Sequence, residues 1–203
     1  SLVIQDFEQL GSLQHVADVP SGTLSREKWK IVDVDSFETG SPAANILDGN
    51  DNTIWHTQWK AAKPKHPHHV TIDMGQANVI NGFAYQPRTS NVTGRILKYS
   101  FYISADGETW GDPVATGSLP EGGELQQVSC KTVKGRFLKL VALSSHLDRP
   151  STVIAEFYAL GQQGAVVKPA PPVVDTLAGH RLRLYGFVRP EENQATLTLD
   201  LIN

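Results

Sequence analysis

Oxygen-bearing side chains surround one glycine in the stretch ILDGNDNTIW, residues 46–55. Asp48, Asn50 and Thr53 lie two and three residues apart, so a tight loop could turn several oxygens inward. A hard cation such as Ca²⁺ takes six to eight oxygen ligands at about 2.3–2.6 Å, which this loop alone cannot supply. Glu156, in the otherwise apolar segment VIAEFYAL, is the best candidate for a second carboxylate, because burying it unpaired would be costly. The alternative is an ordinary Asp-Gly turn with Glu156 facing solvent.

A second group of possible metal ligands is the histidine cluster in KHPHHV, residues 65–70. Strand alternation would point His68 and His69 to opposite faces, and Pro67 fixes the approach of the chain, so the pattern argues against zinc bound together with His66. The chain has one cysteine, Cys130, which excludes an intrachain disulfide and a multi-cysteine metal site.

Composition excludes several classes of partner. The 203 residues carry 18 basic and 21 acidic side chains, a net charge of −3, without a Lys/Arg block that could follow a phosphate backbone. Nucleic acid is therefore not expected as a partner. No run of about 18 apolar residues is present, and SLVIQDFEQLGS at the start lacks the features of a secretion signal. We expect the chain to be a fragment of something larger.

Strand signals dominate the chain, as β-branched and aromatic runs bounded by Gly, Pro, Asn and Asp. Such runs are WKIVDVDS, HHVTIDMG, VINGFAYQPR, LKYSFYIS, LQQVSCKTV, GRFLKLVAL and TVIAEFYALG. This pattern predicts an all-β domain, an antiparallel sandwich over residues 29–161. We interpret residues 1–28 as an N-terminal connector, 162–177 as a proline-rich linker, and 178–203 as a β-hairpin or the truncated start of a further domain.

Several of these segments, taken together, resemble a known family. They are WKIVDVDSFETGSPAANILDGNDNTIWHTQW, HHVTIDMG, GFAYQPR, YSFYISADGETW, GRFLKLVALS and AEFYALG. Over about residues 25–161 the chain resembles the discoidin-like, coagulation factor 5/8 type C domains, specifically the bacterial family 32 carbohydrate-binding modules. The resemblance implies a galactose-binding-like jelly-roll β-sandwich of about eight antiparallel strands with a structural Ca²⁺. It would assign the ion to side-chain oxygens of Asp48 and Glu156, to the hydroxyl and carbonyl of Thr53, and to carbonyls of Asn45, Asn50 and Ala155.

The resemblance also implies a sugar site. A pyranose offers an apolar face, which prefers an aromatic ring, and hydroxyls, which need oriented donors and acceptors. By resemblance Trp55 enters the core, while His56 and Trp59 line the site together with Arg88 and Asn91. The guanidinium fork of Arg88 can donate to two adjacent hydroxyls. Structural alternatives are a core Trp59, a satisfied loop His56, and an Arg88 paired with a surface acid.

Two further loops would lie near the sugar site. The loop SFETGSPAAN is short compared with family members in which a carboxylate there also reaches the sugar, so we do not expect Glu38 to replace that carboxylate or the loop to set a preference for galactose. The loop SSHLDRPST could border the site, although His146 and Arg149 have no strong claim to contact a ligand.

The leading hypothesis is a non-catalytic, monomeric module that binds terminal galactose or N-acetylhexosamine-type sugars. Its parent would be an extracytoplasmic bacterial glycoside hydrolase or surface protein. A glycosidase needs two facing carboxylates, and Asp48 and Glu156 are committed to the metal in this interpretation. The alternatives are an adhesion or membrane-binding discoidin domain and a degenerate spacer module. Membrane binding is disfavoured because we expect no exposed apolar spikes of Phe or Leu in DSFETGS or in QWKAAKPKHP, where some lysines lie.

Overall fold

The computed structural model describes residues 19–163, together with the backbone of two strands near the C-terminus. Residues 19–163 contain eight strands and two short 3₁₀ helices, Ala43–Leu47 and His146–Asp148. The strands are β1 (Lys30–Val34), β2 (Trp55–His56), β3 (His68–Gln86), β4 (Ile96–Ser104), β5 (Ala115–Ser118), β6 (Gln126–Ser145), β7 (Val153–Ile154) and β8 (Glu156–Gln162). The all-β prediction is confirmed.

Two long strands, β3 and β6, run through both layers of the sandwich. They pair antiparallel along most of their length, with register shifts that include one between Asp73 and Asn78. On one side of that shift, β3 lies between β1 and β6, and β6 continues the sheet to β4 and β5. On the other side, β3 lies between β6 and β8. Register shifts bend and twist a strand, so one continuous ladder serves both layers.

Aromatic side chains fill the space between the layers. The ring centroid of Phe83 on β3 lies 4.7 Å from that of Phe101 on β4 and 5.8 Å from that of Phe157 on β8. Trp55 is buried as the resemblance implies, and its indole N–H donates to the Ser36 carbonyl at 2.9 Å. The core therefore anchors β2, the strand from which the loop of residues 57–60 continues.

The sandwich begins before residue 29. Leu24 is buried in the core, its N–H donates to the Ala159 carbonyl at 3.0 Å, and Thr23 forms a β-bridge with Leu160. The prediction of a connector over residues 1–28 is therefore wrong for its last residues. Periodicity misses this segment because it contributes single anchors and no regular strand.

The C-terminal residues 165–203 form a compact unit of their own. In this unit β9 (Arg181–Arg189) and β10 (Gln194–Ile202) pair antiparallel, from Arg189 opposite Gln194 to Arg181 opposite Ile202. The alternating pattern of the sequence predicts this pairing. The predicted linker lies almost wholly outside the described residues. Within the described residues, the structure shows no helix long and apolar enough to cross a membrane.

Candidate functional site

One cleft of about 280 Å³ brings together all four residues that were predicted to line a ligand site. His56, Trp59, Arg88 and Asn91 line it, along with Thr93 and Ser151. These residues come from β2 and from the loops that follow β2, follow β3 and precede β7. The last two residues were missed, because small hydroxyl side chains in loops carry no sequence signal of their own.

The short ladder between β2 and β7 fixes one wall of the cleft. His56 lies opposite Val153, and the Thr57 N–H donates to the Thr152 carbonyl at 3.0 Å. In return the Thr152 N–H donates to the hydroxyl of Thr57 at 2.9 Å. These bonds hold His56 and Ser151 next to one another although they are 95 residues apart in the chain.

Trp59 is 48% exposed, and its ring centroid lies 6.0 Å from that of His56. Glu38 is buried behind it and accepts the backbone N–H groups of Trp59 and Lys60 at 3.1 and 3.0 Å. These two N–H groups hold the pKa of the Glu38 carboxyl below its usual value, so it stays ionised. Glu38 therefore positions the aromatic ring, a role that the sequence analysis did not assign to it.

The tautomer and the charge of the His56 ring in the cleft follow from its contacts. Its Nδ1 lies 2.6 Å from the Thr57 carbonyl oxygen, which can only accept, so Nδ1 carries the hydrogen. Burial and the positive charge of Arg88 lower the pKa of His56, although the Thr57 carbonyl opposes the shift. The ring is therefore neutral at neutral pH, and Nε2 is left as a hydrogen-bond acceptor.

Arg88 keeps donors available in the same cleft. Its guanidinium makes only long contacts, 3.4 Å, to the hydroxyl of Ser90, and it forms no ion pair with any carboxylate within residues 19–163. Burial and the nearby charge of Arg95 lower the pKa of Arg88, which remains far above neutrality. The surface ion pair considered as an alternative for Arg88 is absent from this part of the chain.

A buried arginine shapes the loop that carries Arg88. Arg95 donates to the carbonyls of Arg88, Thr89 and Glu121 at 3.0, 3.3 and 2.6 Å. At the end of this loop Gly94 has a φ of +82°, and a Cβ there would lie 2.5 Å from Cγ2 of Val153. Glycine is thus required both for the backbone conformation and for the close approach of the loop to β7.

Asn91 caps a turn within this loop. Its side-chain oxygen accepts the N–H of Thr93 at 3.0 Å, so the amide N–H₂ group is the part of Asn91 that remains to donate.

The histidines of KHPHHV have separate partners. His66 contacts the hydroxyl of Thr152 at 3.0 Å, and His69 contacts the carboxylate of Asp33 at 2.8 Å. His68 is buried between Asp35 and the Pro150 carbonyl. Among the described residues, no group of three or more His, Cys, Asp or Glu side chains could hold a metal ion.

The oxygen-rich loop of residues 48–53 closes on itself and on β8. The Asp48 carboxylate accepts the Thr53 hydroxyl at 2.7 Å and the Asn50 N–H at 2.9 Å. Glu156 is fully buried and accepts the Gly49 N–H at 2.8 Å. Burial raises the pKa of Glu156 to about 7, with the Arg26 guanidinium opposing the rise and the Asp48 carboxyl adding to it. Glu156 therefore does not face solvent, and it lies beside Asp48.

Arg26 is the partner of Glu156 that the sequence analysis missed. Its guanidinium bonds to Glu156 and also donates to the carbonyls of Ile46 and Phe157 at 3.2 and 3.1 Å. A buried carboxylate requires a partner, but nothing in the spacing distinguishes Arg26 from other arginines of the chain.

The remaining predicted metal ligands lie next to this cluster. The Asn45 carbonyl accepts the Asp48 N–H at 3.4 Å, and Ala155, whose N–H donates to the Gln86 carbonyl, immediately precedes Glu156. Two carboxylates, one hydroxyl and several carbonyls in a small volume match the oxygen ligands that Ca²⁺ prefers. The residues thus fit a calcium ion in the chemistry of their donors.

The fold and the cleft define this protein as a ligand-binding jelly-roll sandwich with an aromatic and polar site formed by loops. The chain belongs to the F5/8 type C domain family, whose model matches residues 30–157. It is similar to a sialidase of Micromonospora viridifaciens, 33% identical over 75% of this chain, and to a galactose oxidase of Gibberella zeae, 36% identical over 79%. Each alignment covers 24% of the relative, so this chain spans about a quarter of the length of these proteins.

Solved structures support the same family. A family 32 carbohydrate-binding module of Clostridium perfringens, in complex with GalNAc-β-1,3-galactose, is 28% identical with a TM-score of 0.63, covering 68% of this chain and 99% of that one. Another from C. perfringens, in complex with galactose, is 26% identical with a TM-score of 0.60, covering 68% and 97%. The resemblance and the jelly-roll fold predicted from the sequence are confirmed.

Proposed function

We propose that this domain is a non-catalytic carbohydrate-binding module that holds a terminal galactose or N-acetylgalactosamine-type residue of a glycan. The observation that carries the proposal is the convergence of Trp59, His56 and Arg88 on one cleft. The exposed indole offers a face for the C–H groups of a pyranose. A sugar hydroxyl both donates and accepts, and the cleft supplies an acceptor in Nε2 of His56 and donors in Arg88.

The composition of the cleft argues against hydrolysis at this site. Its lining residues within the described part of the chain include no Asp or Glu, whereas a glycosidase needs two carboxylates across the scissile bond. The carboxylates of Glu38, Asp48 and Glu156 are all bonded within the domain. The module would instead tether a larger extracytoplasmic parent, such as a glycoside hydrolase or surface protein, to glycans. With one shallow site on a monomer, Kd would be on the order of 0.1–1 mM.

We also propose that Ca²⁺ binds between the loop of residues 48–53 and the start of β8. Asp48 and Glu156 would supply carboxylate oxygens, Thr53 its hydroxyl and carbonyl, and Asn45, Asn50 and Ala155 carbonyls. The ion would add positive charge beside two neighbouring carboxylates, of which Glu156 also bonds to Arg26, and it would take no part in chemistry.

A second candidate function is binding to a lipid surface. The expectation that DSFETGS has no apolar spike is wrong, because Phe37 in this segment is 51% exposed. Leu147, in the loop SSHLDRPST, is 57% exposed. Phe37 immediately precedes Glu38, and Leu147 lies four residues before Ser151, so both belong to loops that supply residues at or behind the cleft. Sedimentation with vesicles of neutral or anionic lipid tests this function, since a sugar module should remain in the supernatant with both.

The proposed function is tested on a glycan array with residues 19–163 and with the full chain. We expect retention on glycans that end in galactose or N-acetylgalactosamine, and at least a tenfold loss for Trp59→Ala and for Arg88→Ala with little change in melting temperature. Trp110→Ala is the matched control, because Trp110 packs under Lys139 outside the cleft. Full retention by both cleft variants would contradict the proposal, and an absence of any glycan binding would favour a spacer module.

A further inference from the structure

His68, the first residue of β3, is a fully buried histidine with a polar partner on each ring nitrogen. Its Nδ1 lies 2.6 Å from a carboxylate oxygen of Asp35, and its Nε2 lies 2.6 Å from the carbonyl oxygen of Pro150. Neither contact involves the candidate calcium ligands or a residue that lines the cleft.

These two contacts define the protonation of the ring. A backbone carbonyl has no hydrogen to donate. Burial would raise the pKa of Asp35, but the bond from His68 and the N–H of His69 together lower it, so Asp35 is ionised. Both ring nitrogens must therefore carry hydrogens, and His68 is an imidazolium. Burial disfavours this charge, but the bonds to Asp35 and to the Pro150 carbonyl outweigh it and raise the pKa of His68.

The residue that His68 contacts, Pro150, is the chain neighbour of a residue that lines the cleft. Pro150 is exposed, whereas the next residue, Ser151, is nearly buried and lines the cleft. Thr152 then bonds to Thr57, beside His56, and its hydroxyl meets the ring of His66. Before Pro150, the backbone at Leu147 and Asp148 has positive φ values of 62° and 49°, which non-glycine residues rarely adopt. A backbone segment in such a rarely populated conformation persists only where the surrounding contacts hold it.

We propose that His68 is a positioning residue that, bonded to Asp35 as an ion pair, holds Pro150 and thereby places Ser151 and the β7 wall of the sugar cleft. This inference rests on the proposed function for its effect on sugar affinity, but the pair itself is independent of any sugar.

The direction of the pH dependence follows from the charges around His68. The facing groups are Asp35, after β1, and His66, whose ring centroid lies 4.7 Å from that of His68. Burial and the charge of His68 lower the pKa of His66 to about 4, so His66 is neutral near pH 7. His69 acts on Asp35, and Asp148 acts on His66. Because the pKa of His68 is raised on folding, its contribution is complete below its unfolded value near 6.5 and is lost as the pH rises through its folded pKa.

Two substitutions separate positioning from general stability. In His68→Asn the short amide can still donate to Asp35 but cannot reach Pro150, whereas in His68→Gln the longer amide can donate to Pro150. Both variants should melt at lower temperature than the wild type. Sugar affinity, measured by calorimetry with galactose, should fall about fivefold in His68→Asn and less than about twofold in His68→Gln, as expected for one lost hydrogen bond.

Asp33→Asn provides the matched control, since it breaks the exposed His69–Asp33 pair on the neighbouring residue. We expect this variant to keep the wild-type affinity and the wild-type pH profile. In the wild type, affinity should decline as the pH rises through the raised pKa of His68, and His68→Gln should remove this decline.

A measurement without sugar tests the pair separately from the proposed function. In the ¹⁵N spectrum of the wild-type histidine rings at pH 7, both nitrogens of His68 should be protonated, and the amides of Ser151 and Thr152 should exchange with solvent faster in His68→Asn than in His68→Gln. A His68 ring with one unprotonated nitrogen would overturn the proposal, as would equal amide exchange in the two variants. If these results agree but no sugar binds, the proposed function fails and the positioning role stands.

Discussion

The two tryptophans of WHTQW differ in burial, and this difference distinguishes a core residue from a residue available to a ligand. Trp55 is buried and its N–H is bonded, whereas Trp59 leaves 48% of its surface exposed. An exposed indole forgoes hydrophobic stabilisation on the order of 1 kcal/mol. A ligand that covers the ring would recover that free energy, which is the physical reason to place a sugar there.

Glu38→Gln tests how the position of Trp59 is maintained. The carboxylate accepts N–H groups from Thr39, Trp59 and Lys60, and an amide replaces one accepting oxygen by a donor that faces N–H groups. We expect galactose affinity to fall on the order of fivefold in calorimetry while the circular dichroism spectrum remains unchanged. Glu108→Gln, an exposed change in a turn, should have no effect. Wild-type affinity in Glu38→Gln would show that Trp59 is held by other contacts.

The site residues that can be predicted from the sequence are those with distinctive side-chain chemistry. The family resemblance assigns Trp59, His56 and Arg88 to the site, and their chemistry agrees with this assignment, because a sugar requires an aromatic face and polar hydrogen-bonding groups. Arg26 was not predicted, because its role depends on Glu156, 130 residues away in the chain. Ser151 was not singled out either, although the loop SSHLDRPST that contains it was expected to border the site.

At the scale of elements, two pairs of strands that the sequence indicates as separate are joined into single long strands in the structure. HHVTIDMG and VINGFAYQPR read as two strands separated by a glycine, yet β3 continues from His68 to Gln86. LQQVSCKTV and GRFLKLVAL likewise join in β6. The glycines and register shifts bend these strands without ending them, a distinction that depends on partners across the sheet.

The proposed calcium ion joins the 48–53 loop to the start of β8, so its removal should destabilise both. We expect EDTA to lower the melting temperature by about 5–10 °C and added Ca²⁺ to restore it, given an ion present at about 100 times its Kd. In Asp48→Ala the melting temperature should no longer respond to Ca²⁺, while Asp106→Ala, in a distant turn, should respond as the wild type does. An identical melting curve with and without EDTA would contradict the proposed calcium site.

At the scale of the whole molecule, the sandwich acts as a rigid support for loops. The jelly-roll class could be predicted from strand signals and family resemblance over residues 25–161. The interpretation of residues 1–28 as a connector missed Leu24 and Arg26, because these residues show no periodic pattern. They join the domain through individual contacts, the Leu24 N–H with β8 and the Arg26 guanidinium with both Ile46 and β8. Residues 165–203 form a separate compact unit, and the proposed sugar site lies entirely within residues 19–163.

The most direct test of the sugar site is an NMR titration of the ¹⁵N-labelled domain with galactose, using glucose as the comparison. The chain has four tryptophans, so four indole N–H signals report on separate places in the fold. We predict saturable shifts for the indole N–H of Trp59, the side-chain N–H of Arg88 and the backbone of residues 91–93, with little change for Trp29, Trp55 and Trp110. Shifts centred elsewhere, or none at tens of millimolar galactose or N-acetylgalactosamine, would contradict the proposed site.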